Sequence, residues 1–521
     1  MKLKKLVFLS TLLMMGLSLV ACSQKMSPKS TVANTSTVNL SLYRNFYEIF
    51  PGSFADSNGD GEGDLNGITA HLDYLNTGKA DSTTDLKVQG IWMTPIFASP
   101  SYHGYDITNY EEINPKFGTM TDFENLVKEA KKRNIAVVLD LVLNHTSVEH
   151  PWFQKALAGN KKYMAYYNWS DTAKQNYSLA SNGKYYESEF DKGMPDLNLS
   201  NPDVKAEIKA ITEFWLSKGI AGFRLDAVGY YFNDSTAKTQ EFTKWLVTTI
   251  HSQKPNAYVV GEDWSSSDTI SELSQKSKIN SLFNFPMSFH ANDGALQSAF
   301  LLQDGSTFSK QVTDWDKTLH EANPAAIDAP FLTNHDMDRA INYTNTLAES
   351  KMAAQTYLLL PGNPYIYYGE ELGLSGSGID QNKRLPIPWT ADGKGSAIAS
   401  VSVPGATMVA TTLGGSAEEQ EADPNSLLNW YKKILRIKAK YPDIASSRIT
   451  EIDMTNSSLS ALNYGNKYTV ISNFDSQNSA KVTLTSAMKK NLAESLSVTG
   501  EKVTLTGKSL TLPAYSTVIL K

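Results

Sequence analysis

Residues 135–145 read Ile-Ala-Val-Val-Leu-Asp140-Leu-Val-Leu-Asn144-His145, an apolar run broken only by Asp140 and closed by two polar groups. A run of this length and near-continuous hydrophobicity suits a parallel strand covered on both faces. The stretch before it reads as a helix opening with Thr121 and Glu124, spaced as a capping box. On the other side, Asn201-Pro202 signals a helix start, and Val204, Ile208, Ile211 and Trp215 follow at helical spacing. Gly219 stops that helix before a strand at Ile220 to Leu225, and a helix around Phe242, Trp245, Leu246 and Ile250 leads into Tyr258-Val259-Val260.

Further strands are expected at Arg44 to Phe50, Val88 to Thr94, Ser281 to Phe285, Ile327 to Leu332 and Tyr365 to Tyr368. About eight strands interleaved with helices predict an α/β protein, a (β/α)8 TIM barrel, with an open doubly wound sheet as the other topology. Residues 146–201 are aromatic, polar and too long for an ordinary βα loop, so they read as a small domain inserted after the third strand. The barrel then comprises residues 41–145 and 202–440. From 441 to 521 the texture changes to short period-two strands such as KYTVISNF and AKVTLT, which predicts a C-terminal antiparallel β-sandwich.

The chain of 521 residues carries 48 Lys and Arg against 54 Asp and Glu, a net charge of −6 that argues against a nucleic-acid partner. Its single cysteine, Cys22, excludes an intrachain disulfide. Lys2, Lys4 and Lys5 precede an apolar run from Leu6 to Val20, the pattern of a secretory signal over residues 1–21. Leu19-Val20-Ala21-Cys22 resembles the lipobox of bacterial lipoproteins, which implies a lipid on Cys22. Residues 22–40, rich in Ser, Thr and Asn, read as a flexible tether. The body is thus expected outside the bacterial cytoplasmic membrane, anchored to it by lipid, and as a monomer.

Polar residues recur where barrel strands would end, and barrel enzymes build their active sites there. Asp140 to His145 closes the third strand, Gly222-Phe-Arg224-Leu-Asp226 the fourth, Gly261-Glu262-Asp263-Trp264 the fifth and Asn334-His335-Asp336 the seventh. Cleaving a glycosidic bond with retention needs a carboxylate nucleophile roughly 5–5.5 Å from a carboxylic acid. Asp226 and Glu262 supply such a pair. Arg224, two residues before Asp226 on one strand face, would hold the nucleophile ionised with its fixed positive charge.

These four segments resemble the signature regions of the α-amylase superfamily of glycoside hydrolases, in the usual order. Met93 to Phe97 (MTPIF), Tyr102 to Asp106 (YHGYD), Met194 to Asn198 (MPDLN) and Gly362 to Glu371 (GNPYIYYGEE) resemble further family motifs. The resemblance implies a barrel with an inserted B domain and a C-terminal β-sandwich. It also implies that Asp226 is the nucleophile, Glu262 the acid/base and Asp336 the transition-state stabiliser. His103, Asp106, His145, Arg224 and His335 would hold the sugar, Tyr105 would stack on its ring, and Trp264, with Trp152, Trp169 and Trp389, would line subsites or pack in the core.

Asp56-Ser-Asn58-Gly-Asp60-Gly-Glu62-Gly-Asp64 places oxygen ligands at the spacing of an EF-hand calcium loop, with the Glu62 carbonyl at position 7 and Gly67 in place of the final Glu. Relatives with this loop bind Ca²⁺ there. A second family calcium site uses an Asn at the position of Asn144 and a Lys-His pair after the nucleophile strand, where this chain reads Gly229-Tyr230.

MPDLN is intermediate between the QPDLN of oligo-1,6-glucosidases and the MPKLN of neopullulanases. Ala227 after the nucleophile and Trp264 after the acid resemble α-1,4-acting members. The expected activity is endo-acting hydrolysis of starch, glycogen or maltodextrins. An exo-acting α-glucosidase, a neopullulanase-like or transglycosylating enzyme, and a maltodextrin-binding lipoprotein without turnover are the alternatives.

Overall fold

The computed structural model describes residues 42–391 and 403–521. The signal segment, Cys22 and the tether lie outside the described residues. No described helix is long and apolar enough to cross a membrane.

Seven parallel strands form one curled sheet: Phe46–Ile49, Gly90–Met93, Ala136–Leu141, Gly222–Leu225, Tyr258–Gly261, Ser281–Leu282 and Tyr365–Tyr367. The first six pair in chain order, and the last pairs with the first. Between the sixth and the last, the segment expected as a strand at Ile327 to Leu332 makes no regular ladder. It contributes single parallel bridges, Phe283 to Ala329 and Phe331 to Tyr365, which close the barrel. Pro330 explains the difference, since it has no N–H to donate and interrupts a central ladder. Its carbonyl still accepts from the N–H of Tyr365 at 2.9 Å.

The helix Pro202–Ser217 shows how the pattern becomes packing. The Asn201 side chain accepts from the N–H groups of Asp203 and Val204, and Pro202 takes the first turn, where no amide donor is needed. Val204, Ile208, Ile211 and Trp215 are then buried on one face, and Trp215 Nε1 donates to the Tyr110 carbonyl at 2.7 Å. Gly222 opens the next strand because a Cβ there would lie 1.8 Å from the carbonyl oxygen of Tyr258 on the neighbouring strand. The helix before the third strand starts differently from the reading. Met120–Lys132 is capped by Thr119 with Asp122 as reciprocal partner, two residues earlier than the Thr121 and Glu124 pair.

After the third strand, helices Pro151–Leu157 and Lys161–Met164 and a small antiparallel sheet (Trp169–Ser170, Tyr185–Glu187, Tyr177–Leu179) form the inserted unit. It is tied to the barrel by the bridge His145 to Asp196, and the bridge Tyr167 to Leu197 holds the unit together internally. Beyond the barrel, a five-stranded and a three-stranded antiparallel sheet enclose a separate core that includes Ile471, Val482, Leu510 and Val518. A barrel with an antiparallel β-sandwich at its C-terminal end is thus the observed fold.

Candidate active site

The third and fourth strands run in parallel register, with Asp140 opposite Arg224, so both side chains emerge on one face of the sheet. Inside the barrel the Arg224 guanidinium lies 4.9 Å from the ring centre of Trp92. Its Nη1 donates to Asp140 Oδ1 at 2.9 Å and to Asp226 Oδ1 at 2.6 Å, and its Nη2 reaches Glu262 Oε1 at 2.9 Å. One buried cation therefore carries both members of the expected catalytic pair on its two terminal nitrogens. The sequence reading places Arg224 against a sugar. In the structure Arg224 is 1% exposed, and its two terminal nitrogens bind three carboxylates while Nε has no partner among the described residues.

Three carboxylates around one guanidinium leave an excess of negative charge, and burial makes it costly. Burial, together with Glu262 and Asp140, pushes the Asp226 carboxyl well above its usual range, with the Arg224 guanidinium opposing. Burial likewise lifts Asp140 to about 6 against the pull of Arg224. Arg224 thus supports the ionised form of Asp226 against burial and its two carboxylate neighbours. Glu262 receives two further donors, the Ala227 N–H on Oε2 and Trp264 Nε1 on Oε1, each at 2.9 Å. Ala227 makes its bond from a left-handed backbone, φ 47° and ψ 41°, a conformation that costs an Ala about 1–2 kcal/mol and that persists at functional sites.

A second group of charges faces this one. Asp336 Oδ1 accepts from Arg384 Nη2 at 2.9 Å, and its Oδ2 lies 3.1 Å from His335 Nε2. Burial works against ionisation of Asp336, but His335 and Arg384 hold it well below the usual carboxylate range. The Tyr105 hydroxyl contacts His335 Nε2 at 2.7 Å and donates to Asp140 Oδ2 at 3.1 Å, and the two rings lie parallel within 6°. His335 is fully buried and packs against these neighbours.

Between the groups opens a cavity of about 440 Å³. Asp226, Glu262 and Asp336 line it with His103, Tyr105, His145, Trp264 and Arg384, and Phe190, Met194 and Tyr230 border it from the inserted unit and the turn after the fourth strand. His145 Nε2 is buried with no partner among the described residues, a polar atom available to a ligand in the cavity. Burial pushes that imidazole down to about 4, so it is neutral at pH 7. Asp106 does not line the cavity. It accepts the hydroxyls of Ser99, at 2.6 Å, and Ser101, bracing the loop that carries His103 and Tyr105. Trp264 alone of the four tryptophans borders the cavity. Trp389 is buried and donates to the Phe54 carbonyl, while Trp152 and Trp169 pack within the inserted unit.

Two residues of the site escape the sequence reading as functional groups. Arg384, which grips Asp336, lies on a loop with no regular pattern, and Asp140, which shares Arg224, looks like a lone charge in a strand. The signal for Asp140 was a carboxylate in an otherwise apolar buried run, which a barrel interior tolerates only with a partner.

The description "Alpha amylase, catalytic domain" matches residues 48–447. The chain belongs to the α-amylase family. It is therefore a glycosidase-type enzyme of a family that acts on α-glucans. It is 39% identical over 427 residues to Alpha-amylase 3 of Dictyoglomus thermophilum, covering 80% of this chain and 82% of that one. Palatinase of Erwinia rhapontici is 30% identical over 469 residues, covering 76% and 82%. Among solved structures, Eubacterium rectale Amy13B superposes with a TM-score of 0.86 at 36% identity, covering 92% of this chain and 96% of that one. The α-amylase of H. orenii gives 0.79 at 34% identity, covering 92% and 99%. This α-amylase family member stands between groups, as MPDLN implied, since its relatives also include a probable oligo-1,6-glucosidase of Bacillus subtilis at 29% identity.

The calcium-type loop coils through successive side-chain turns. Asp56 accepts from the N–H groups of Asn58, Gly59 and Gly61, Asn58 from Asp60, and Asp60 from Glu62. Asp64 instead caps the helix Leu65–Ala70 and holds Ser57. At the position of the second family site, Asn144 donates to Asp196 at 3.2 Å, and burial beside Glu187 lifts the Asp196 carboxyl to about 8.

Proposed function

We propose that this enzyme is a retaining, endo-acting α-amylase that hydrolyses α-1,4-glucosidic bonds of starch, glycogen or maltodextrins. The observation that carries the reading is the attachment of Asp226 and Glu262 to opposite terminal nitrogens of one buried guanidinium, at the wall of a cavity large enough for a sugar chain. The reaction starts with Glu262 as the acid and Asp226 as the carboxylate. Asp226 attacks the anomeric carbon as Glu262 gives its proton to the departing oxygen, leaving a β-glucosyl ester on Asp226. Glu262, now a carboxylate, takes a proton from water, which displaces Asp226 and restores the α configuration. Asp336, held ionised by His335 and Arg384, stabilises the positive charge that develops on the sugar ring.

Phe190 and Tyr230, 47% and 41% exposed and 5.1 Å apart at the cavity rim, offer apolar faces to a sugar bound beyond the cleavage point. An exo-acting or transglycosylating reading is favoured by the oligosaccharide-acting names among the relatives. Product analysis separates the two. Rapid viscosity loss of soluble starch with mixed α-anomeric maltooligosaccharides is expected; glucose or panose as the main product from starch, maltoheptaose and pullulan would assign an α-glucosidase or neopullulanase. Loss of Cys22 is expected to release the enzyme from the membrane fraction, in keeping with the lipobox.

Calcium is part of the proposal. The loop's donors are all oxygens, as a hard divalent cation requires, and Asp60 Oδ2 accepts no hydrogen bond among the described residues. Asp56, Asn58, Asp60 and the Glu62 carbonyl would hold the ion, with Asp64 bracing the loop from the helix cap, and the ion would stiffen the loop after the first strand. At free Ca²⁺ of about 100 Kd the gain is about 2.7 kcal/mol. A chelator is accordingly expected to lower Tm reversibly, and Asp60→Ala to abolish that shift; a Tm indifferent to chelation would remove calcium from the account.

A further inference from the structure

We propose that Glu48 is a positioning residue of the active site: its carboxylate fixes the ring and both N–H groups of His335, so that a permanent positive charge stands beside Asp336. The inference rests on the reading of Asp336 given above. Glu48 lies on the first barrel strand in register with Trp92 on one side and Tyr367 on the other, and it is 1% exposed. A carboxylate so placed is costly unless paired. Among the described residues its salt-bridge partner is His335, whose Nδ1 lies 2.6 Å from Oε1 and whose backbone N–H reaches the same oxygen at 3.4 Å.

The hydrogen-bond network decides the protonation of His335. The Tyr105 hydroxyl bridges Asp140 Oδ2 and His335 Nε2, and with its proton on the Asp140 side its oxygen accepts from Nε2. That nitrogen also faces Asp336 Oδ2, an acceptor, while Nδ1 faces Glu48, another acceptor. Carboxylate oxygens stand at both ring nitrogens and favour the imidazolium, the form in which both donate. The charged groups around it are Glu48 from the first strand, Asp140 from the third, Arg224 from the fourth, Asp336 beside it in the chain, and Arg384, whose Nε donates to the His335 carbonyl at 3.2 Å. Burial opposes the charge, yet Asp336 and Glu48 together push the imidazole up to about 10. Glu48 thereby ends a continuous chain through His335, Tyr105 and Asp140 to Arg224, which joins the stabilising carboxylate to the nucleophile's support.

The test is Glu48→Gln in the full chain, which keeps size and an acceptor for Nδ1 but removes the charge. His335 then loses much of its bias toward the protonated form, whose ordinary midpoint is about 6.5. The expected result is an alkaline limb of kcat/KM on maltoheptaose displaced downward toward about 6.5, with a loss on the order of 10-fold at pH 8 and little at pH 6. Glu48→Asp, which retains the charge, should lose activity without moving that limb. An equal loss at every pH, or a wild-type profile, would overturn the proposal. If Glu48→Gln does not fold, ¹⁵N NMR of His335 in the native chain decides: two protonated ring nitrogens through pH 8 support the role and a neutral ring overturns it. That readout is independent of whether the enzyme proves endo- or exo-acting.

Discussion

Asp226→Asn is expected to lower kcat on maltoheptaose by on the order of 10⁴-fold or more, while the protein remains folded. Asn has the same size and leaves an oxygen for Arg224 Nη1, so the contact at 2.6 Å can persist as a weaker hydrogen bond. What disappears is the nucleophile, since an amide cannot form the glycosyl ester. Stability should move the other way. Burial, Glu262 and Asp140 all disfavour a charge at this position, and Arg224 retains Asp140 and Glu262 as partners after the change. A buried charge replaced by a neutral isostere relieves desolvation, so Tm is expected to be equal to or above that of the native enzyme. Activity assay and thermal unfolding on the same preparation check both halves. Residual activity above about 1%, a loss of only about 10²-fold, would remove Asp226 from the role of nucleophile.

Glu262→Gln is expected to show a loss that depends on the leaving group. On maltoheptaose, whose departing hydroxyl needs a proton, kcat should fall by about 10³–10⁴-fold. On α-glucosyl fluoride, whose departing fluoride needs little proton assistance, the first step should be largely spared. The second step still lacks its base, so the glycosyl enzyme should accumulate, and azide, a nucleophile that needs no base, should restore turnover. The single amide oxygen of Gln can keep only one of the Ala227 and Trp264 hydrogen bonds, which occupy different oxygens of Glu262, so a modest loss common to both substrates is expected besides the leaving-group effect. Equal losses on both substrates would indicate a structural role for Glu262 instead.

The strand ends were legible because a parallel strand buried on both faces has to be apolar, which makes Asp140, Arg224, Asp226 and Glu262 conspicuous inside their runs. The parts that were not legible share a cause: they depend on contacts remote in sequence. Arg384 reaches Asp336 across 48 positions, and Glu48 reaches His335 across 287. Glu48 sits in Phe-Tyr-Glu48-Ile, a charge in an apolar strand like Asp140, but no spacing rule connects it to a histidine so far away. Local patterns also have ties that only three dimensions break. Thr119 with Asp122 and Thr121 with Glu124 have the same spacing, and Gly118, at φ 120°, turns the chain so that the earlier pair becomes the cap. The seventh strand was read from hydrophobicity alone, which does not weigh the missing donor of Pro330. The sharing of Arg224 by three carboxylates could not be read either, because it depends on strands far apart in sequence.

The most direct test of the account is peptide mapping by mass spectrometry of the Glu262→Gln enzyme after brief exposure to a 5-fluoro-α-glucosyl fluoride. The account predicts a single glycosylated peptide, with the sugar on Asp226. An adduct on another carboxylate would contradict it, and so would the absence of any adduct while fluoride is released.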